Sequence, residues 1–253
     1  MNKISPLLYN EVSILNMKLS FLPIVFLLFS ANAFCADLTR EQVIELLKNA
    51  TKENPANLRK KDLKGIDLSG LDLRNANLWG ADLRKANLSR SNLEGLILDL
   101  TVMTGTNLKG ANLKNVSIFG VYLKGADLSD TDLRGSRVIA TLDKANLTNA
   151  NITNVDWGAD MKNQPMGLMR VTMNNANLTG ANLSGSSFSR GLMRFAKLNN
   201  ANLRNANLYR VDLRGADLSG ADLSGADLSE AKLESANLTG AKLDGAKLPE
   251  GMK

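Results

Sequence analysis

The 253-residue chain contains no histidine and only one cysteine, Cys35. The lack of histidine excludes Ser-His-Asp and Cys-His catalysis and any histidine-containing metal site, and a single thiol excludes an internal disulfide. No glycine-rich loop precedes Lys-Ser or Lys-Thr in the pattern that cradles phosphates. We therefore expect no catalytic site, no metal and no cofactor, and classify the chain as a non-enzyme.

The chain also has few aromatic residues and only a small net charge. Aromatic residues make up 5% of the chain, so leucine and alanine must supply most of the core. With 31 basic and 25 acidic side chains, the formal charge of +6 is mild. This is not the strong basic excess typical of a nucleic-acid-binding protein, so we do not expect a nucleic-acid partner.

The first 36 residues have the layout of a secretory signal peptide. A short apolar run at residues 19–29 follows a lysine and precedes small residues, as at a signal-peptidase site. Cleavage after Ala33 fits the small-residue rule best, and cleavage after Ala36 is the alternative. The run is shorter than the roughly 20 residues that a membrane helix needs. Contact with a membrane is therefore expected only if this segment stays uncleaved.

Two translation starts fit this segment. Met1 gives a long n-region that contains Glu11, which is unusual for a signal peptide, whereas Met17 gives a short one that begins Met-Lys. With either start we expect a bacterial protein that is exported to the periplasm or secreted.

Residues 37–54 predict a short helix and a linker. Thr39 and Gln42 have the spacing of a capping box, in which each side chain bonds to the backbone of the other residue. The apolar stripe that follows consists of Val43, Ile44, Leu46 and Leu47. Because repeat arrays need covers at their ends, we expect this helix to cap the N-terminal end of the body. A partner-binding helix is the alternative.

An apolar residue, here called a centre, recurs at every fifth position over most of the chain. Seventeen consecutive centres run from Leu58 to Val138, and another 17 run from Leu168 to Leu248. The residue two positions before a centre is usually small, the one just before it is usually Asn or Asp, and Gly often follows two positions after it. A period of five fits neither a helix nor a flat strand, so the chain must turn at every fifth residue.

This pattern, clearest in the repeated Ala-Asp-Leu-Ser-Gly of residues 216–229, resembles the pentapeptide-repeat family, and the resemblance covers about four-fifths of the chain. The resemblance implies an all-β fold, a right-handed quadrilateral parallel β-helix in which five residues form one side and four sides form one coil. It also implies that the centre and the small residue two positions before it point inward. The predicted fold is this solenoid with a short N-terminal capping helix.

The five-residue phase breaks once. Four centres come one residue early, namely Leu142, Leu147, Ile152 and Trp157. We therefore predict a first repeat block at residues 55–157 with a kink or bulge near residues 139–142. A protruding loop at residues 158–167 and a second repeat block at residues 168–250 follow.

Residues twenty apart should stack on one side of such a coil. Two basic stripes are predicted in this way, Lys64-Arg84-Lys124 and Arg74-Lys114-Arg134. Trp79, Phe119 and Ile139 are predicted to point outward together on a further side. Because exposed apolar patches often mark interfaces, we take as the candidate partner surface Trp79, Ile97, Leu100, Val102, Phe119, Tyr122, Leu192 and Phe195.

The function predicted from the sequence is a rigid, exported rod that acts as a structural or protein-interaction scaffold. Its partner would be an unidentified protein or a second copy of the chain. The family resemblance supplies one alternative, a DNA mimic that protects topoisomerases, although only residues 211–253 are acidic and a cytosolic target conflicts with a signal peptide. The basic stripes supply another, a surface that binds polyanions.

Overall fold

The computed structural model describes residues 36–161 and 169–252, and structural statements refer to these residues. The predicted signal peptide lies outside them except for Ala36. The elements are helix α1 (Arg40–Lys48) and strands β1 (Ala56–Asn57), β2 (Ala76–Asn77), β3 (Ser117–Tyr122) and β4 (Arg137–Thr141). Within the described ranges, no helix has the length and hydrophobicity needed to span a bilayer.

Each coil pairs in parallel with the next, and the usual spacing between partners is 20 residues. Strand β1 pairs with β2 in the register Ala56↔Ala76, and single bridges such as Asp62↔Asp82 continue this spacing along the body. The backbone N–H of a centre donates to the following coil, as Leu63 does to the Asp82 carbonyl at 2.8 Å. We number the four sides by their first centres: side 1 from Leu58, side 2 from Leu63, side 3 from Leu68 and side 4 from Leu73.

The centres form one continuous core. Every described centre from Leu58 to Leu228 is at most 2% exposed, and each buried leucine contributes roughly 1.5–3 kcal/mol. Trp157 and Phe188 fill neighbouring coils with their rings edge to face, 5.8 Å apart. The centres of the last described coil, Leu238, Leu243 and Leu248, are only partly buried.

Most of the described corners are β-turns whose third residue has a positive φ, although Asn75 does not. The Leu78 carbonyl, for example, accepts a hydrogen bond from Ala81 N–H at 3.0 Å, and Gly80 between them has φ 67°. A positive φ at this position is what a type II turn requires, and glycine meets it without strain. This explains why glycine recurs two positions after a centre. Where glycine is missing, asparagine is the commonest replacement, because it tolerates the left-handed region better than most residues.

The Asn or Asp before each centre is a structural residue. Asp217 Oδ1 accepts from Ser219 N–H at 3.0 Å, and Asp222 Oδ1 accepts from Ser224 N–H at 3.0 Å. The same position links neighbouring coils, as where Asn107 Nδ2 donates to Asn87 Oδ1 at 3.0 Å. These carboxylates and amides stabilise turns and ladders.

Helix α1 covers the N-terminal coil. The capping box is present, with Thr39 N–H donating to Gln42 Oε1 at 2.7 Å and Gln42 N–H donating to Thr39 Oγ1 at 3.3 Å. Arg40 donates to the carbonyl of Asp67 and to that of Ser69, both at 2.9 Å. Val43 is fully buried in the core.

One member of the predicted apolar stripe does not join this contact. Leu46 is 43% exposed, whereas Leu47 and Leu38 are partly buried against the core. The prediction for Leu46 was wrong because only one narrow face of this nine-residue helix reaches the coil.

The missing residue of the phase break lies between β3 and β4. Phe119 pairs with Ile139 and Val121 pairs with Ala140, so Gly120 has no partner and forms a bulge. Gly120 has φ 67°, a conformation common in bulges that contain glycine. The bulge lets a six-residue strand match a five-residue one.

The second irregularity is an insertion at the corner between sides 1 and 2. Thr141 pairs with Thr172 and Asn146 pairs with Asn177, a spacing of 31 positions instead of 20, so eleven residues are extra. An antiparallel bridge between Asp160 and Met169 closes the base of this insertion. The first described centre after the insertion is Met173, which lies on side 2. The predicted first centre of the second block, Leu168, lies outside the described residues.

Asparagine at one corner often lies over the glycine of the next coil, and this contact can be tested. A Cβ added at Gly185 would collide with Asn154 Oδ1, whereas one added at Gly125 would meet nothing within 4 Å in the described part of the chain. Both glycines have a positive φ. We expect Gly125→Ala to cost about 1–2 kcal/mol from backbone strain alone, and Gly185→Ala to cost more in denaturant unfolding.

A double-mutant cycle with Asn154→Gly separates the two effects. If the collision is real, Asn154→Gly should reduce the cost of Gly185→Ala to that of Gly125→Ala. Equal costs for the two single glycine variants would contradict the contact.

Candidate partner surface

Five of the eight candidate residues lie together on two successive coils at the corner between sides 1 and 2. We call this group the corner patch; its members are Ile97, Leu100, Val102, Phe119 and Tyr122. The register Val102↔Tyr122 places these two side by side. Ile97 is 60% exposed, Leu100 50% and Tyr122 60%, while Val102 and Phe119 are half-buried.

Hydrogen bonds hold the backbone beneath the corner patch in place. Asp99 Oδ1 accepts from Ser117 Oγ and from Phe119 N–H, both at 3.0 Å. Leu100 has φ 61° and extends over Gly120, where an added Cβ would lie 3.3 Å from its Cδ2. The apolar side chains are therefore presented by a fixed frame.

Two residues predicted to point outward, Trp79 and Ile139, are less exposed to solvent than expected. Trp79 is half-buried, with the Arg59 guanidinium 4.9 Å and the Lys60 ammonium 5.5 Å from its ring centroid, so cation–π contacts occupy it. Ile139 is only 5% exposed. The outward prediction for Ile139 was wrong because the deleted residue leaves no normal corner there, and three successive residues of β4 are buried.

Leu192 belongs to the same column of side 2 as the corner patch. Successive bridges join Val102, Tyr122, Thr141, Thr172 and Leu192. Leu192 is half-buried. A groove of about 310 Å³ runs between Tyr122 and Leu192, and Met169 and Arg170 at the base of the insertion form one wall. The groove connects the corner patch with Leu192.

The corner patch and Leu192 together form what we call the apolar strip, and Phe195 is separate from it. It is 62% exposed and lies at the other corner of side 2, with φ 56°. Its ring covers Gly215, where an added Cβ would be 2.5 Å from two ring carbons. The structure therefore brings six of the eight candidates onto one strip and leaves Trp79 and Phe195 beside it.

Ion pairs border the strip at both ends. At one end Asp82 contacts Arg84 at 2.6 Å and Lys64 at 3.4 Å. At the other end Asp212 contacts Arg194 at 2.6 Å and Arg214 at 2.7 Å. Between these ends, column positions normally held by Asn or Asp are held by Val, Tyr, Thr and Leu.

The basic stripes predicted from the sequence are largely neutralised. Arg74 pairs with Asp72 at 2.6 Å, and Asp132 pairs with Arg134 at 2.7 Å and Lys114 at 3.3 Å. The sequence itself indicates this pairing of bases with carboxylates. In each Asp-Leu-Arg repeat, the residues just before and just after the inward centre share one outer side and can reach each other.

Asp212 is the most strongly held of these carboxylates. It is 4% exposed, and hydrogen bonds from Arg214 and then Arg194 hold the pKa of its carboxyl well below the usual range. Charge-assisted bonds of this kind favour the ionised form.

The repeat pattern identifies the family. The family model "Pentapeptide repeats" matches in eight copies at residues 56–90, 97–135, 192–225 and 212–249, which together span more than half of the chain. The chain belongs to the pentapeptide-repeat family. The predicted fold class is thereby confirmed, a right-handed quadrilateral parallel β-helix with a short N-terminal capping helix. No curated protein matches this pentapeptide-repeat protein.

Several solved structures are similar to this pentapeptide-repeat protein. HetL, a protein of heterocyst differentiation regulation from the cyanobacterium Nostoc, is 28% identical, with 85% of this chain and 98% of HetL covered and a TM-score of 0.31. QnrB1, a plasmid-mediated fluoroquinolone resistance protein, is 18% identical, with coverages of 76% and 89% and a TM-score of 0.43. A thylakoid-lumen protein from Arabidopsis thaliana is 29% identical, with coverages of 50% and 70% and a TM-score of 0.22.

The low pKa of Asp212 predicts an acid-sensitive contribution to stability. Since the folded-state pKa is depressed, the contribution is complete above the unfolded-state pKa of about 3.9 and is lost as the pH falls through the folded-state value. We expect Asp212→Asn to lower the free energy of unfolding at pH 7 by about 1.5–3 kcal/mol. Denaturant titrations should show the difference from wild type shrinking below about pH 4.

Asp244→Asn, on the last coil, is the control for charge removal. An Asp212→Asn deficit that stayed constant from pH 7 to pH 2 would contradict an electrostatic origin.

Proposed function

We propose that this pentapeptide-repeat protein is an exported, non-enzymatic scaffold that binds a protein partner through the corner patch and the adjoining groove. The observation that carries the proposal is the exposure of Ile97, Leu100 and Tyr122 on two successive coils. Contiguous exposed apolar side chains on an otherwise polar surface are typical of interaction sites.

The rigidity of the frame supports this proposal. The hydrogen bonds of Asp99 and the bulge at Gly120 fix the backbone beneath the corner patch. A preformed surface loses little conformational entropy when it binds. Side chains on such a frame can form an interface without prior folding.

The two alternative functions have less support. A DNA mimic needs rows of carboxylates that stand in for phosphates, but Asp72, Asp82 and Asp132 are each paired with a base. The same pairs weaken a polyanion-binding surface, since the bases of the stripes already face carboxylates. Among the described residues, neither these carboxylates nor the bases of the stripes form the continuous row of unpaired charges that a DNA mimic or a polyanion-binding surface needs.

Export is the first part of the proposal to test. Tagged full-length protein should be found in the periplasm or medium, and deletion of residues 1–36 should keep it in the cytoplasm. Fractionation with compartment markers measures this. Full-length protein found only in the cytosol would contradict export and favour the topoisomerase alternative.

Partner binding can be tested with a photoreactive amino acid in place of Tyr122. We expect it to cross-link one discrete protein, or a second copy of the chain, in the native compartment. The same probe in place of Lys109, on side 3, is the matched control. Equal labelling from both positions, or none from either, would contradict the proposed surface.

The corner patch should matter for binding and not for folding. Adding Ile97→Ser to the Tyr122 probe form should abolish the cross-link, because it removes one of the patch's most exposed apolar side chains. The free energy of unfolding should change by no more than about 0.5 kcal/mol, as for other exposed positions. An unchanged cross-link would show that the corner patch is not the interface.

A further inference from the structure

At the corner between sides 4 and 1, one asparagine leaves the glycine of the following coil uncovered. Along it asparagine and glycine alternate, in the order Asn75, Gly95, Asn115, Gly135, Asn154, Gly185, Asn205 and Gly225. Asn115, Asn154 and Asn205 each lie over the glycine of the following coil. Gly95 also follows an asparagine, yet nothing among the described residues lies within 4 Å of a Cβ added there. Gly245 at the same corner is equally open, but it follows Gly225, which has no side chain to cover it.

The capping segment causes the exception at Gly95. Asn75 Nδ2 donates to the Ala50 carbonyl at 2.9 Å, so its amide is turned toward the linker after α1 and away from Gly95. The result is a cleft of about 460 Å³ above Gly95. The cleft is thus a product of how the helix joins the coil.

The chemistry of the cleft is mixed. Lys52, Arg74, Glu94 and Asn115 line it, and an overlapping cavity of about 330 Å³ continues to Leu96 and Ile97. Lys52 and Ile97 both line this overlapping cavity, so a cation and an exposed apolar side chain face the same space. Arg74 is held in place by Asp72, at 2.6 Å, and Glu94 accepts from Asn112 Nδ2 at 3.1 Å.

We propose that this cleft binds the carboxylate of an apolar amino-acid residue. The ligand is either the C-terminal residue of an extended peptide or a free apolar amino acid. Its carboxylate lies beside Lys52, within reach of the Asn115 amide, and its side chain lies on Ile97, while Arg74 keeps its pairing with Asp72. A cation and an amide are groups that recognise a carboxylate, and a concave site with a few polar groups beside apolar ones is typical of small-ligand binding.

Three probes test the ligand class by calorimetric titration of the full chain. They are the tripeptide Gly-Gly-Leu, the same tripeptide with an amidated C-terminus, and free leucine. We expect the tripeptide acid to bind and the amide not to bind. Leucine binding as tightly as the tripeptide acid would indicate a free amino acid as the source, and tighter binding of the tripeptide would indicate a peptide terminus. No binding of either acid, or equal binding of acid and amide, would overturn the proposal.

Variants locate the site. Lys52→Gln should weaken binding of the tripeptide acid about tenfold, as expected for one lost bond to a charged group, while the control Lys109→Gln on side 3 should have no effect. Gly95→Asn should abolish binding by filling the cleft, and it should fold, because asparagine adopts φ 56° at the equivalent Asn115. Full affinity in either cleft variant would overturn the assignment. Lys52 lies outside the corner patch, so we expect Lys52→Gln to leave the Tyr122 cross-link unchanged, and this test and that of the corner patch can fail independently.

Discussion

The structure depends on one constraint, the pairing of each coil with the coil 20 residues further along the chain. The backbone N–H of each centre bonds to the following coil, and its side chain fills the axis. A side must therefore contain five residues, and a change in length needs a device that restores the register. Two such departures occur in the described residues. The bulge at Gly120 absorbs a missing residue, and eleven extra residues are accommodated between the centres Trp157 and Met173.

The same constraint explains why most polar side chains of the regular repeats have structural roles. The polar residue before each centre is used for turns and ladders, and many bases after a centre are paired with a carboxylate on the same side. Side chains are released from these roles only where the pattern changes. Val102, Tyr122 and Leu192 take ladder positions next to the two irregularities, and the uncovered Gly95 lies where the capping segment draws Asn75 away. We therefore place both candidate sites at departures from the repeat.

The sequence predicted most of the fold because the repeat is local. The five-residue period identifies the inward centres, and the glycines identify the corners. It could not predict contacts that depend on neighbouring coils. The cation–π cover of Trp79 comes from Arg59 and Lys60, twenty positions or so away in sequence, and Ile139 is buried because of a missing residue at its corner. The cleft above Gly95 was missed for the same reason, since its cause is a single bond between Asn75 and Ala50.

The register across the insertion is the central claim, because it places Tyr122 and Leu192 on one column. Disulfide formation tests it directly in a Cys35→Ser background. Thr141→Cys with Thr172→Cys should cross-link on oxidation, since paired residues of adjacent coils are within reach of a disulfide, about 4.4–6.8 Å between Cα atoms. Thr141→Cys with Met161→Cys, spaced as in an uninterrupted coil, should not. Cross-linking of the second pair and not of the first would contradict the account.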